Sequence, residues 1–288
     1  MNTTSQHQAP IDLIVSIVTY DSSQEELARC IDSVRQAAVV LSKKVPTGQV
    51  NITVVNNSPL GELTVECLNQ RCLDRLSSQN DDLSILQGHG NVGYGSGQNL
   101  AFQSQLGRYH LFMNPDVELD PDSLLVGVTY LEQNPDVGLA GPHVVNKAGI
   151  RQFLCKRYPT VFDLFLRGLS PAFIRKCFRL RLARYEMQDL SESASSKDVP
   201  ITSGCFMLCR SEVISQIGGF DRKFFLYFED FDLCLRVGEV AKVAYLPAMR
   251  IRHFGGGAAR KGIRHIGMFL VSAVRFFNKH GWQWVRQR

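Results

Sequence analysis

The run I-D-L-I-V-S-I-V-T from Ile11 to Thr19 is apolar at nearly every position. A strand covered on both faces reads this way. After a short polar break, Glu25 to Val40 carries apolar residues at helical spacing, so the chain opens on a β-α unit. Working outward, Val50 to Asn56, Leu83 to Gln87 and Tyr109 to Met113 read as further strands. Helical patterns near Gly61 to Leu76 and Gly97 to Leu106 fall between them. This alternation predicts an α/β fold with a mainly parallel central sheet flanked by helices. Beyond it, Pro200 to Leu208 is strand-like, Glu212 to Ile217 and Asp230 to Val237 are short helices, and Val243 to Leu246 is a late strand leading to His253. The serines and charges of Gln188 to Lys197 predict an exposed loop.

A chain of 288 residues without a long internal linker suits one large core. Met1 to Pro10 is polar without signal-peptide character, and no apolar run approaches the roughly 18 residues that span a bilayer. The expected location is the cytosol. The eight cysteines form no C-x-x-C pair and no zinc spacing, so they are expected to be reduced core thiols. The net charge of +5 is unevenly spread, because no acidic residue follows Glu239 while Arg250, Arg252, Arg260, Lys261, Arg264, Arg275, Lys279, Arg286 and Arg288 do. Ile266, Phe269, Leu270, Ala273, Val274 and Phe277 recur there at helical spacing, with Trp282 and Trp284 beyond. Leu164 to Arg184 repeats the theme with six basic residues. Both segments suit either amphipathic helices on an anionic membrane surface or helices packed on the domain with snorkelling cations. No aromatic-basic motif for nucleic acid is present.

Ligands of parallel α/β sheets sit at the carboxyl ends of the strands. The residues there are Thr19-Tyr20-Asp21, Asn56-Asn57-Ser58, Gly88 to Asn99, and Asn114-Pro115-Asp116. G-H-G-N-V-G at Gly88 to Gly93 matches the G-x-G-x-x-G dinucleotide fingerprint literally. That reading would make the chain a nicotinamide-dependent oxidoreductase. Two β-α units precede this turn, however, and the fingerprint belongs to the first. Asp116 ends a hydrophobic strand, and His253 precedes three glycines. Each has a structural reading, as a turn aspartate and as a hydrogen-bonded histidine.

G-G-F-D-R-K-F-F-L-Y-F-E-D-F-D-L-C-L-R from Gly218 to Arg236 sets Glu229, Asp230 and Asp232 in an apolar, aromatic stretch. Carboxylates in such surroundings are paired, bind metal or titrate. Acids in a helix's first turn are the plainer account. An oxygen ligand, an imidazole and a separate carboxylate at one sheet edge match the needs of metal-assisted displacement on a nucleotide-activated substrate.

Taken in order, I-V-S-I-V-T-Y at Ile14 to Tyr20, V-V-N-N-S at Val54 to Ser58, N-V-G-Y-G-S-G-Q-N at Asn91 to Asn99, L-F-M-N-P-D at Leu111 to Asp116, G-C-F-M-L at Gly204 to Leu208 and the Gly218 to Arg236 block resemble the motifs of family 2 glycosyltransferases with the GT-A fold. The likeness covers roughly Ile11 to Gly257 and is nearest the bacterial rhamnosyltransferase branch, where N-P-D replaces the commoner D-x-D. The resemblance implies a GT-A domain over residues 11–257 and a basic amphipathic helix over 258–288. It implies Asp230 as general base with Glu229 beside it, and Asp116 and His253 as ligands of a divalent cation, Mg2+ or Mn2+. It places Thr19, Tyr20 and Asn56 at the pyrimidine base, Asn91, Gly93 and Asn99 at the ribose and diphosphate, and Asn114, Asp116 and Gly204 in the same donor site. Asp232 and Arg236 would hold the helix. Asn114 stands where many relatives carry an Asp, and a neutral amide binds a cation less strongly. Asn56 also replaces an Asp, and its carbonyl can still accept from a base N3-H.

The implied reaction is inverting transfer of a sugar, L-rhamnose from dTDP-L-rhamnose, to a hydroxyl of a cell-surface glycan such as O-antigen or cell-wall polysaccharide, or of a lipid-linked oligosaccharide. The implied location is cytoplasmic, at the inner membrane face. A non-catalytic sugar-nucleotide-binding subunit would keep the fold without needing Asp230.

Overall fold

The computed structural model describes residues 11–45, 47–59, 62–72, 83–105, 107–168, 170–255 and 263–285. Strands β1 (Ile11–Thr19), β2 (Thr47–Asn56), β3 (Leu83–Leu86), β4 (Tyr109–Met113), β5 (Val117–Leu119), β6 (Val137–Val145), β7 (Arg151–Gln152), β8 (Phe206–Arg210) and β9 (Lys242–His253) form one sheet. The helices are α1 (Gln24–Lys44), α2 (Val65–Arg71), α3 (Tyr94–Ser104), α4 (Ser123–Gln133) and α5 (Val161–Gly168). They continue with α6 (Ala172–Cys177), α7 (Arg179–Tyr185), α8 (Ser211–Gln216), α9 (Glu229–Gly238) and α10 (Ile263–His280).

The opening run behaves as its composition requires. Leu13, Val15 and Ile17 face one core and Ile14 and Val18 the other side, all buried, so β1 is central and parallel to both β2 and β4. Ser23 caps α1 by accepting the Glu26 N–H at 3.1 Å, with Glu25 and Glu26 in the first turn and Lys43 and Lys44 in the last. The helix buries Leu27, Ile31, Val34 and Leu41 against the sheet. Each such side chain contributes at most about 1.5–3 kcal/mol.

The sheet order is β3-β2-β1-β4-β8-β6-β9-β5, with β7 added to β6. The parallel pairing of the expected mainly parallel sheet runs from β3 to β4. Beyond β4 the sheet is mixed: β8 runs antiparallel to β4 and β6, β9 parallel to β6, and β5 antiparallel to β9. The chain there returns without a β-α crossover at each step, which permits antiparallel neighbours. Strand order within Pro200 to Leu208 is confined to its end, since β8 starts at Phe206 and Ile201 makes only an isolated bridge to Lys156. The late strand is longer than its apolar centre, running from Lys242 to His253. Of the predicted Gly61 to Leu76 helix, Val65–Arg71 is helical, while residues 61 and 73–76 lie outside the described residues. The Gln188 to Lys197 segment is exposed but anchored, with Ser196 bridging Tyr245 and Arg151 donating to the Leu190 carbonyl. Six cysteines, among them Cys30, Cys205, Cys209 and Cys234, are buried and unpaired, and all eight are free.

Helix α10 covers the aromatic stretch that precedes α9. Ala273, Phe276 and Phe277 are buried against Phe224 and Phe228, with Tyr158, Phe231 and Phe269 around them. The boundary at residues 257–258, and Arg260, Lys261, Arg286 and Arg288, lie outside the described residues.

Candidate active site

The carboxyl end of β4 delivers Asn114-Pro115-Asp116. The Asn114 N–H donates to the Cys205 carbonyl at 3.0 Å, and the Phe254 N–H donates to the Asp116 carbonyl at 2.9 Å. The register pairs Val117 with His253, so Asp116 and His253 meet where β5 and β9 adjoin. The His253 Nε2 lies 3.4 Å from the Asp116 Oδ1, and its Nδ1 lies 3.1 Å from the Gln152 Oε1. An Nδ1–H donated to Gln152 leaves the Nε2 lone pair directed at the Asp116 side. Metal-bound histidines are commonly held in this way. Any side chain at Gly255 would overlap the Asp116 Oδ2 and crowd the His253 Nε2, so the glycine leaves this corner open. Among the described residues no third His, Cys, Asp or Glu joins the pair. One carboxylate and one imidazole suit a Mg2+- or Mn2+-type ion that takes its remaining ligands from substrate phosphates and water.

Glu229 and Asp230 begin α9, and the chain enters them through two left-handed residues, Tyr227 (φ 70°) and Phe228 (φ 65°). That conformation costs roughly 1–2 kcal/mol for each bulky residue and persists only where packing imposes it. Phe228 is buried on α10, and the Tyr227 hydroxyl lies 2.8 Å from the His265 Nδ1. Asp230 is partly buried. Its Oδ2 accepts the Gly204 N–H at 2.9 Å and its Oδ1 accepts the Phe231 N–H at 2.9 Å. Burial raises its pKa, against the opposing pull of those two N–H groups. Glu229 is buried, its Oε2 has no hydrogen-bond partner among the described residues, and burial followed by the Asp230 charge pushes its pKa well above the carboxylate range.

Gly204 and Cys205 tie the two clusters together. Gly204 bonds Asp230 and also accepts the Tyr94 hydroxyl at 2.5 Å, while Cys205 bonds Asn114. Burial lifts the Cys205 thiol to about 12, with the charges of Asp116 and Asp230 both adding to the rise. The two carboxylates therefore flank one short segment. A Cβ at Gly204 would sit 3.1 Å from the Asp230 Cβ, so Gly204 is placed against the acid helix.

The amino-terminal strands supply the rest of the edge. Thr19 and Asn56 are buried neighbours in register, and Tyr20 is exposed. The Asn56 Oδ1 accepts the Ser58 N–H at 3.0 Å, and its Nδ2 donates to the Gln87 Oε1 at 3.3 Å. The Asn91 Oδ1 accepts the Gly93 N–H at 3.1 Å. Gly93 (φ 86°) opens α3, and a Cβ there would overlap the Phe225 carbonyl. The glycine requirement at Gly93 thus comes from the Phe225 backbone, and the turn follows the third strand, which removes the footing of the dinucleotide reading. Asn99 is buried and gives both ends of its amide to Phe220, at 2.8 and 2.9 Å. It fastens α3 to the 218–220 turn.

Asp232 lies on the other face of α9. It is fully buried and bonds Arg236 at 2.8 Å, Lys279 at 2.6 Å and His280 at 2.8 Å. Burial works against its ionisation, but the hydrogen bonds from His280 and Lys279 and the Arg236 charge prevail and hold its pKa at about 2. Residue-by-residue reading missed Tyr94, Gln152, Gly255, Lys279 and His280. Tyr94, inside N-V-G-Y-G at the start of α3, and Gly255, the first of the three glycines after His253, carried a signal.

Residues 14–218 match the family described as glycosyl transferase family 2, and the chain belongs to that family. The fold is GT-A. A crystal structure of GalNAc-T7 with UDP, GalNAc and Mn2+ superposes with a TM-score of 0.62 at 16% identity, covering 88% of this chain and 45% of that one. The mannosyltransferase PcManGT from Pyrobaculum calidifontis, in complex with GDP-Man and Mn2+, gives 0.57 at 14% identity over 93% of this chain and 65% of its own. In sequence, the low-salt glycan biosynthesis hexosyltransferase Agl10 of Haloferax volcanii is 24% identical over 241 residues, 82% of this chain and 64% of the relative. The rhamnosyltransferase WbbL of Escherichia coli K12 is 26% identical over 177 residues, 57% of this chain and 62% of the relative. The N-acetylglucosaminyl-diphospho-decaprenol L-rhamnosyltransferase of Mycobacterium tuberculosis is 26% identical over 218 residues, 70% of this chain and 69% of the relative. The chain thus spans about two thirds of the length of these relatives.

Proposed function

We propose that the protein is an inverting glycosyltransferase that moves L-rhamnose from dTDP-L-rhamnose to a hydroxyl of a cell-surface glycan or lipid-linked oligosaccharide at the inner face of the membrane. The observation that carries the transfer reading is Asp230. It is a carboxylate of raised pKa fixed by the Gly204 N–H, one residue from the Cys205 link to the Asp116 and His253 corner. The rhamnose reading is supported by the names of the Escherichia coli and Mycobacterium tuberculosis relatives.

In this reading the Asp230 carboxylate takes the proton of the acceptor hydroxyl as that oxygen bonds the anomeric carbon. The bond from that carbon to the diphosphate oxygen breaks on the opposite side, so one displacement inverts the centre. A raised pKa makes Asp230 a better proton acceptor once ionised. Glu229 orients the acceptor or the base. Asp116 and His253 would hold a divalent cation, which would supply positive charge to the diphosphate. Thr19, Tyr20 and Asn56 border the pyrimidine, Asn91, Gly93 and Asn114 the ribose and diphosphate. Gly204 serves the donor site by fixing Asp230, and Asn99 by fixing α3. The unit of transfer is residues 11–257, with residues 258–288 a basic amphipathic appendage.

A turnover screen over dTDP-rhamnose, UDP-galactose, UDP-N-acetylglucosamine and GDP-mannose tests the reading, with release of nucleoside diphosphate as the signal. The expected result is the highest turnover with dTDP-rhamnose. A higher rate with another donor overturns the sugar assignment. Nucleotide binding without turnover, in the presence of lipid-linked acceptors, would favour a binding subunit.

A further inference from the structure

The two basic, apolar segments that stand about 80 residues apart in the sequence come together in the fold. The chain after α10 lies along the start of α5: the Val161 N–H donates to the Gln283 carbonyl at 2.8 Å, and the Phe162 N–H donates to the Trp284 carbonyl at 3.0 Å. Arg181 of α7 reaches the Val285 carbonyl on the same seam.

The outward surfaces of both segments are apolar. On α10, Ala273, Phe276 and Phe277 turn inward while Ile266, Leu270, Val271 and Val274 remain exposed. Trp282 and Trp284 stack at 5.2 Å, and Trp284 is 63% exposed. Helix α6 buries none of its residues, and Phe173 on it and Leu180 on α7 are 69% and 79% exposed. A helical turn that buries nothing gains no stability from packing in the isolated chain. Among the described residues, Arg175, Lys176 and Arg179 form no ion pair, and Arg264 stands beside Ile266 on α10 without one. Asp163, the only acid of α5, is fully buried and bound to Arg181. No acidic residue lies between Leu164 and Arg184 or after Glu239.

We propose that α10, the Trp282 and Trp284 segment and the α5 to α7 region form one docking face for an anionic lipid bilayer. Apolar side chains enter the acyl boundary, tryptophans lie at the headgroup level and unpaired cations meet the lipid charge. Among the described residues no helix is long and apolar enough to cross a membrane, so the contact is superficial. The inner side of α10 holds the Tyr227 and Phe228 entry to Asp230, which sets the docked surface next to the acid helix. This deepens the proposed membrane-face reaction, and the assay contains neither donor nor acceptor, so its failure is separable from failure of the transfer reading.

The test is flotation of the full chain with vesicles of phosphatidylglycerol and phosphatidylcholine, against vesicles of phosphatidylcholine alone. Binding is expected to the anionic vesicles and to weaken with salt. Leu270→Glu with Val274→Glu should reduce the partition coefficient about tenfold or more. Arg175→Gln, Lys176→Gln and Arg179→Gln together should reduce it about 100-fold at low salt. These side chains are exposed, and an unchanged melting temperature in each variant confirms an intact fold. Equal binding to both vesicle types overturns the anionic component. Absence of binding, or a dimer in sedimentation velocity that the α10 variants dissolve, overturns the membrane and assigns the face to a second copy.

Discussion

The two faces of α9 carry carboxylates two residues apart with opposite fates. Asp232, toward α10, is surrounded by Arg236, Lys279 and His280 and held near pKa 2. Asp230, toward the sheet edge, has among the described residues only backbone N–H partners, and burial raises it, while Glu229 beside it is raised further. A neutralised acid stabilises the fold by its contacts. An uncompensated acid costs stability, and such costs concentrate where chemistry needs a proton acceptor. The contrast supports the proposed division, with Asp232 in structure and Asp230 in reaction.

The largest expected effect is on the uncompensated face. Asp230→Asn keeps the shape and, through its carbonyl, one of the two backbone N–H contacts, but cannot accept a proton, so transfer should fall about 10²–10⁴-fold. Nucleotide affinity, read by calorimetry, should be nearly unchanged. Substantial turnover in that variant would remove Asp230 from the role of base. In the wild type, transfer should rise with pH through the raised Asp230 pKa, because the protonated form is inactive.

The Asp116 and His253 corner sharpens the comparison, since there a carboxylate faces an imidazole. Excess chelator should suppress transfer, and His253→Ala should raise the cation concentration needed for half-maximal rate at least about tenfold. Full activity in chelator would show that this corner needs no metal. On the neutralised face, Asp232→Asn leaves the partly buried Arg236 and Lys279 without their counter-charge. The fold should lose roughly 3 kcal/mol, seen as a lower midpoint in denaturant. The sign of the pH dependence follows from the lowered pKa. The wild-type contribution is complete above the ordinary aspartate pKa and is lost as pH falls toward about 2, a difference of roughly 2 kcal/mol.

How much of this was legible depended on whether a signal is local. The β1 run and α1 periodicity read correctly because every residue in them meets the same two-sided or one-sided burial. Strand β6, V-G-L-A-G-P-H-V-V, did not, since its glycines and proline imitate a loop. Close packing of Gly138 against Val213 and of Gly141 against Thr202 requires the glycines. Acids and histidine at Glu229, Asp230, Asp116 and His253 were visible as an ordered motif set. Gln152 and His280 were not, because their partners lie 101 and 48 residues away and their neighbours in sequence give no hint. Asn99 shows the converse. It belongs to a motif rich in ligand-like residues, yet its amide is fully used on Phe220.

The smallest effect tests the comparison most directly, because it asks whether an acid in this site is a cost. Glu229 is buried, its Oε2 is unpartnered among the described residues, and its pKa is raised. A carboxyl raised in the folded state favours folding fully below its unfolded pKa, about 4.3, and that benefit is lost as pH climbs toward the folded value. Glu229→Gln cannot ionise and so escapes the loss. Its melting temperature should match the wild type near pH 4 and exceed it by about 2–4 °C at neutral pH, while transfer is reduced. Melting curves across that range decide the matter. A variant less stable at every pH would mean that Glu229 is compensated like Asp232, and the distinction between the two faces of α9 would fail at its first residue.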